Sequence, residues 1–188
     1  MKRRAHMLLG ILAMMIASTA SQAETGWQRK VKEELPLLGH RNWIVVVDSA
    51  YPLQTSAGIE VVDTGEDQLA VVDYVLGAIR DSKHVRPLAH TDAELQYVPE
   101  SEAPGVDHYR AELKKRLQGQ RIPTDSVLHE ALIDQLNKAG GSFHVLVLKT
   151  NMTIPYTSVF LQLDCKYWGA DSEARLRETM KTAGAATK

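Results

Sequence analysis

Short, β-branched apolar runs bounded by turn residues alternate along this chain with segments whose apolar side chains recur at helical spacing, and that alternation leaves few folds open. Trp43 to Val47, Ile59 to Val62, Val145 to Leu148 and Ser158 to Leu163 read as strands, with less apolar strand candidates at Val85 to Ala89 and Leu95 to Val98. The strongest runs are apolar almost throughout, as strands are when both faces of their sheet are covered. Between the runs, Leu69, Val72, Leu76 and Ile79 share a helix face opened by Thr64-Gly65-Glu66-Asp67, a capping hydroxyl with an acid three residues on. A second helix starts near Asp107, places Tyr109, Leu113 and Leu117 on one side, and precedes the break at Gly119 and Pro123. A third, capped by Thr124, Asp125 or Ser126, carries Leu128, Leu132, Ile133 and Leu136 and stops at Gly140-Gly141. The expected class is α/β, a mainly parallel central sheet flanked by helices. Pro99 to Gly105 reads as a loop, Ser172 to Thr182 as a charged helix, and Ala183 to Lys188 as a fraying end.

The first 23 residues follow a different logic. Lys2, Arg3 and Arg4 precede an apolar run, Met7 to Ser18, that is too short to span a bilayer, and Ser21-Gln22-Ala23 supplies a small-x-small cleavage pattern. Residues 1–23 are therefore expected to be a signal peptide, and 24–188 one domain in a periplasmic or secreted protein. Without the three leading basic residues the chain is acidic, with a net charge near −4, and it has no basic run to track a phosphate backbone. Nucleic acid is not an expected partner, nor is membrane insertion after cleavage. Cys165 has no second cysteine to pair with, and it reads as a half-buried structural thiol.

Three segments put proton-handling residues at the edges of apolar elements. His40 stands just before the first strand and Asp48 just after it, and strand ends are where α/β sheets usually bind ligands. His129 opens a helix on the face that bears Leu132, Ile133 and Leu136. In the third segment, Lys149 ends one strand and the Pro155-Tyr156 turn presents a phenol just before Ser158 and the last strand. Each of these residues also has an ordinary structural reading: a loop histidine, a turn acid, a helix-border histidine, a strand tyrosine.

Together the segments resemble the RbsD/FucU family, the ribose pyranases and fucose mutarotases. The first family motif is Gly-His, a strand, Asp and a nearby Pro, matched by Gly39-His40, Ile44 to Val47, Asp48 and Pro52. The last is a basic residue followed by Pro-Tyr and a final apolar strand, matched by Lys149, Pro155-Tyr156 and Val159 to Leu163. The similarity runs from about Glu34 to Leu163, strongest at its ends and thin between Lys83 and Thr124. Three positions depart from the family pattern: Asn42 where Asp is usual, Ala50 where Gly is usual, and Ser158 in place of an Asn.

The resemblance implies an RbsD-like fold and a mutarotase-like isomerase that interconverts cyclic forms of a free monosaccharide. It implies His40 as the catalytic acid/base, with Asp48, His129, Lys149, Tyr156 and Ser158 binding substrate, and it requires no cofactor or metal. An exported, non-catalytic monosaccharide-binding or interaction protein on the same fold is the rival expectation. The resemblance also implies a ring-type homo-oligomer, for which a decamer is one form, and a length argument agrees. If residues 41 to 48 run extended, His40 and Asp48 of one chain stand roughly 20–25 Å apart at ~3.3 Å per residue, more than a monosaccharide bridges. Either the turn at Gly39-His40-Arg41 folds back sharply, or His40 of one copy completes the site of another.

Overall fold

The computed structural model describes residues 24–184; the signal-peptide reading of residues 1–23 lies outside them, as do the last four residues. The elements are α1 (Gly26–Glu34), β1 (Trp43–Val47), β2 (Ile59–Asp63), α2 (Gln68–Asp81), β3 (Val85–Asp92), α3 (Val106–Gly119), β4 (Thr124–Val127), α4 (His129–Gly140), β5 (Val145–Lys149), β6 (Val159–Cys165) and α5 (Ala170–Thr182). The strands form one sheet in the order β2-β5-β1-β6-β3-β4. β6 runs antiparallel to both β1 and β3, and the other neighbouring pairs are parallel. Five strands therefore point the same way, and their carboxyl ends meet the start of β6 at one end of the sheet.

The two faces are covered unequally. On one, Val31 of α1, Val71, Val75 and Ile79 of α2, and Leu113 and Leu117 of α3 pack on Ile44, Leu146, Leu148 and Leu161. On the other, Leu132 and Leu136 of α4 close over Val45, Val147 and Phe160. The strands at the sheet centre are thus buried on both sides, which is why their sequences do not alternate. No side chain of α5 is buried. Cys165 ends β6 half-buried.

Three local expectations need correction. The Thr64 hydroxyl donates to the Lys149 carbonyl at 2.8 Å, stitching β2 to β5, and Asp67 caps α2 instead by accepting the Ala70 N–H at 3.0 Å. Thr124 to Ser126 do not cap a helix; they belong to the exposed edge strand β4, which pairs with an extended β3 through Ala89 to Asp92. Leu95 to Val98 is not a strand. Ala93–Tyr97 is a 3₁₀ turn, and Arg110 takes the Leu95 and Val98 carbonyls at 2.8 Å each, so no neighbouring strand is needed. The charged helix α1, which buries only Trp27 and Val31, was not among the expected elements.

Candidate active site

The carboxyl ends of the parallel strands converge on a cleft of about 390 Å³ lined by Asp48, Tyr51, His129, Pro155 and Tyr156, among others. Three residues singled out in the sequence thus meet there: Asp48 just after β1, His129 as the first residue of α4, and Tyr156 three residues before β6.

Each is fixed by local chemistry. Asp48 is nearly buried, and its Oδ1 accepts the Ala50 N–H at 2.9 Å, an Asx turn that starts the loop over the cleft. The Ser49 N–H donates to the Met152 carbonyl at 2.8 Å, tying that loop to the one after β5. Tyr156 sits at φ 58°, in the left-handed region that a tyrosine rarely enters, after a proline that presets the turn. His129 lies edge-on between two phenols, 6.2 Å from the Tyr51 ring and 5.6 Å from the Tyr156 ring, centroid to centroid. Burial, with the charges of Asp92 and Asp48 nearby, holds the Tyr51 hydroxyl well above the usual phenol range, so it stays protonated and donates to Gln54 Oε1 at 2.9 Å.

Two acids that the sequence reading missed organise His129. Asp92, at the end of β3, places Oδ1 2.9 Å from His129 Nδ1, and burial pushes its carboxyl up to about 6. Glu94, in the 3₁₀ turn, accepts the His129 N–H at 3.1–3.2 Å and so caps α4, whose N-cap residue Leu128 has no capping side chain. A signal for Asp92 was present: like Asp48, it is an acid closing a strand, but the strand was read as ending at Ala89.

The remaining expected residues lie elsewhere. Lys149 points its Nζ at the Tyr51 carbonyl, 2.9 Å away, and so supports the cleft loop from the side. Ser158 is fully buried beside the site. His40 is exposed at the opposite end of the sheet and takes no part in its own chain's cleft. The turn that carries it is tight, with the Asn42 N–H on the Gly39 carbonyl at 3.2 Å and Arg41 at φ 74°, yet β1 runs extended from there to Asp48. The turn therefore does not fold His40 back to Asp48. One departure from the family pattern, Asn42, has a structural use. Asn42 Oδ1 accepts the Gly39 N–H at 2.8 Å while its Nδ2 donates to the His144 carbonyl at 3.1 Å; the Ala50 N–H held by Asp48 is a backbone group that Gly would supply as well.

Among the described residues, the one group with metal-ligand spacing is Glu34, Glu60 and His144, whose ligating atoms lie within 4.8 Å of one another. It is remote from the cleft, near the amino ends of β2 and β5. Lys30 already bridges the two carboxylates at 2.7 Å each, and both raise its ammonium above the usual lysine range.

The fold and cleft define an α/β protein with a small polar pocket at the carboxyl ends of its parallel strands, the usual ligand position of such sheets. The fold is that of the RbsD/FucU proteins. RbsD of Bacillus subtilis, solved with D-ribose, superposes with a TM-score of 0.52 at 17% identity over 72% of this chain and 91% of that one. The fucose mutarotase of Streptococcus pneumoniae, solved with L-fucose, gives 0.50 at 17% identity over 72% and 91%. FucU of Bifidobacterium longum gives 0.50 at 17% identity over 72% and 94%. No protein-family model and no curated protein matches the sequence.

Proposed function

We propose that this chain interconverts the cyclic forms of a free monosaccharide by general acid–base catalysis. The observation that carries the reading is the meeting of Asp48, His129 and Tyr156 in one cleft, on a fold whose solved counterparts hold ribose and fucose. Ring opening needs a base at the anomeric hydroxyl and an acid at the ring oxygen. The anomeric O–H gives up its proton, the carbonyl forms, the C1–O bond to the ring breaks, and the ring oxygen takes a proton. Closure on the other face, or by another hydroxyl, gives the second form, with no net change of oxidation state. An imidazole titrating near neutrality suits either role, and a positioned proton donor or acceptor contributes ~10²–10⁴-fold.

In this reading His129 works from within the chain, Asp48 and Tyr156 hold sugar hydroxyls, Lys149 and Ser158 stand behind them, and His40 enters from a second copy in a ring-type assembly. The separation of His40 from its own cleft supports that arrangement. The protein is read as exported, and among the described residues no helix is long and apolar enough to cross a membrane.

The test is NMR exchange between sugar forms across a panel of pentoses and hexoses, using the chain from Glu24 onward. At least one sugar should exchange faster than in buffer, and His129→Ala or His40→Ala should remove the excess. Mixing His40→Ala with Asp48→Asn protein, after dissociation and reassembly, should restore part of it in hybrid sites. Sugar binding without any gain in exchange would replace this reading with the non-catalytic binder. Lack of recovery despite proven subunit exchange would sink the shared site.

A further inference from the structure

Asp92 is the one carboxylate that the fold buries completely at this end of the sheet, with side-chain exposure of 0%. Only one of its oxygens is used by a neighbouring side chain. Oδ1 meets His129 Nδ1 at 2.9 Å, while Oδ2 is buried without a hydrogen-bond partner among the described residues. The ladder places Asp92 one residue beyond the Thr91–Val159 pair, and so across from Ser158, whose hydroxyl is also buried and unpartnered. Packing alone does not account for an acid here. A carboxylate taken out of water is costly unless fully bonded, and an apolar side chain would fill the same space without that cost. Among the described residues, His129 is the side chain that hydrogen-bonds to it.

We infer that Asp92 is the positioning residue of His129, fixing the imidazole proton on Nδ1 so that Nε2 faces the cleft as the proton-accepting atom. The geometry has the required parts. His129 lines the cleft, its Nδ1 is taken by Asp92, and Nε2 makes no hydrogen bond to the described residues. The ring is held between Tyr51 and Tyr156, and its backbone N–H is held by Glu94, so neither ring nor helix start is free to turn away. When Nε2 takes the anomeric proton, the imidazolium forms against a carboxylate already in place, and no solvent needs to reorganise around it. Asp92 itself keeps its charge and touches no sugar.

The inference rests on the proposed isomerase reading, so its test has one arm that needs no activity. ¹⁵N-histidine NMR near pH 8 should show His129 protonated on Nδ1 in the wild type. In Asp92→Ala that preference should vanish. Asp92→Asn keeps the side-chain size and should, as an amide does when it donates to a histidine, drive the proton to Nε2. Where Asn instead keeps an accepting oxygen on Nδ1, the Ala variant decides. In the activity arm, both variants should lose roughly 10²-fold or more in kcat with KM little changed, the mark of a lost proton-transfer geometry. Near-UV circular dichroism would establish that both are folded. Wild-type His129 protonated on Nε2, or folded variants with unchanged tautomer, would overturn the inference. If no sugar exchanges, the function fails while the tautomer arm still judges Asp92.

Discussion

Burying Asp92 should leave a measurable mark on stability against pH. Its carboxyl is raised from 3.8 to about 6, first by burial and further by the charge of Glu94, with the His129 hydrogen bond opposing. Tyr51 and Tyr109 also feel its charge, but their hydroxyls stay protonated in this range. For a group whose pKa is raised on folding, the contribution to stability is complete below the unfolded value near 3.8 and disappears as pH climbs through 6. A shift of about two units at ~1.4 kcal/mol each amounts to about 3 kcal/mol. Asp92→Asn has no such titration. Its stability relative to wild type should therefore rise by about 3 kcal/mol between pH 3 and pH 7.5, most steeply between 4 and 6. Urea melts at stepped pH, with the denaturant slope held common, measure this directly. In thermal scans the gap should move by roughly 6–12 °C for a chain of this size. Repeating the pair in a His129→Ala background should enlarge the swing, since the bond that lowers the Asp92 pKa is gone. A difference that stays flat within about 0.5 kcal/mol across the window would refute the claim that the fold bears the cost of a buried charge here.

Gln68 is fully buried and donates to both the Tyr109 hydroxyl and the Thr157 carbonyl, while its Oε1 lies 3.0 Å from the Thr150 hydroxyl. Gln68→Leu should cost roughly 3 kcal/mol or more in urea unfolding, because several buried polar groups lose a partner together; a cost under about 1 would argue against the network. Asn42→Asp, which restores the family residue, should lose about 1–2 kcal/mol at neutral pH because a carboxylate cannot donate to the His144 carbonyl, and the deficit should shrink on acidification as the new acid protonates. Tyr156→Phe keeps the ring against His129 and should leave the melting temperature within a few degrees while weakening sugar affinity; unchanged affinity would remove the Tyr156 hydroxyl from the site.

Strands whose residues are buried on both sides were legible as unbroken apolar runs. Trp43–Val47 has the bounds read from the sequence, and β5 extends the run read at Val145 to Leu148 by one residue. Elements set by a few long-range contacts were not. β4, Thr124 to Val127, is polar and exposed, a strand only because β3 offers it a ladder, and the same hydroxyls and acid suit a helix cap equally well in isolation. That ambiguity hid part of the site. Once Thr124 to Ser126 had been assigned as the cap, nothing pointed to Glu94, and once β3 had been ended at Ala89, Asp92 fell in a loop. Asp48, His129 and Tyr156 were legible because each interrupts an apolar element at its border. His40 was legible by the same rule, but a border residue lies at one end of a strand or the other, and sequence spacing alone does not say which ends gather.

The cleft asks for two things a fold resists: a charged acid out of water at Asp92 and a left-handed tyrosine at 156. The left-handed tyrosine costs on the order of 1–3 kcal/mol and the buried acid about 3, and each persists only where the surroundings over-determine it. Those surroundings lie just beneath. The Thr157 carbonyl, the group that follows Tyr156, accepts from the Tyr109 hydroxyl at 2.5 Å and from Gln68, and the Thr157 hydroxyl donates back to the Ile154 carbonyl at 2.9 Å. Gln68 belongs to α2 and Tyr109 to α3, so two helices of the larger core hold the turn from below. Burial raises the Tyr109 hydroxyl far above the phenol range, so its proton is always present to be donated. The same network reaches the first cleft loop through Thr150, whose hydroxyl lies 2.9 Å from the Val47 carbonyl, one residue before Asp48. The turn that presents Tyr156 and the strand end that presents Asp48 are therefore fixed to one buried polar cluster. Their spacing is set by the core on the far face of the sheet, and the loops at the cleft mouth need not be rigid to keep it.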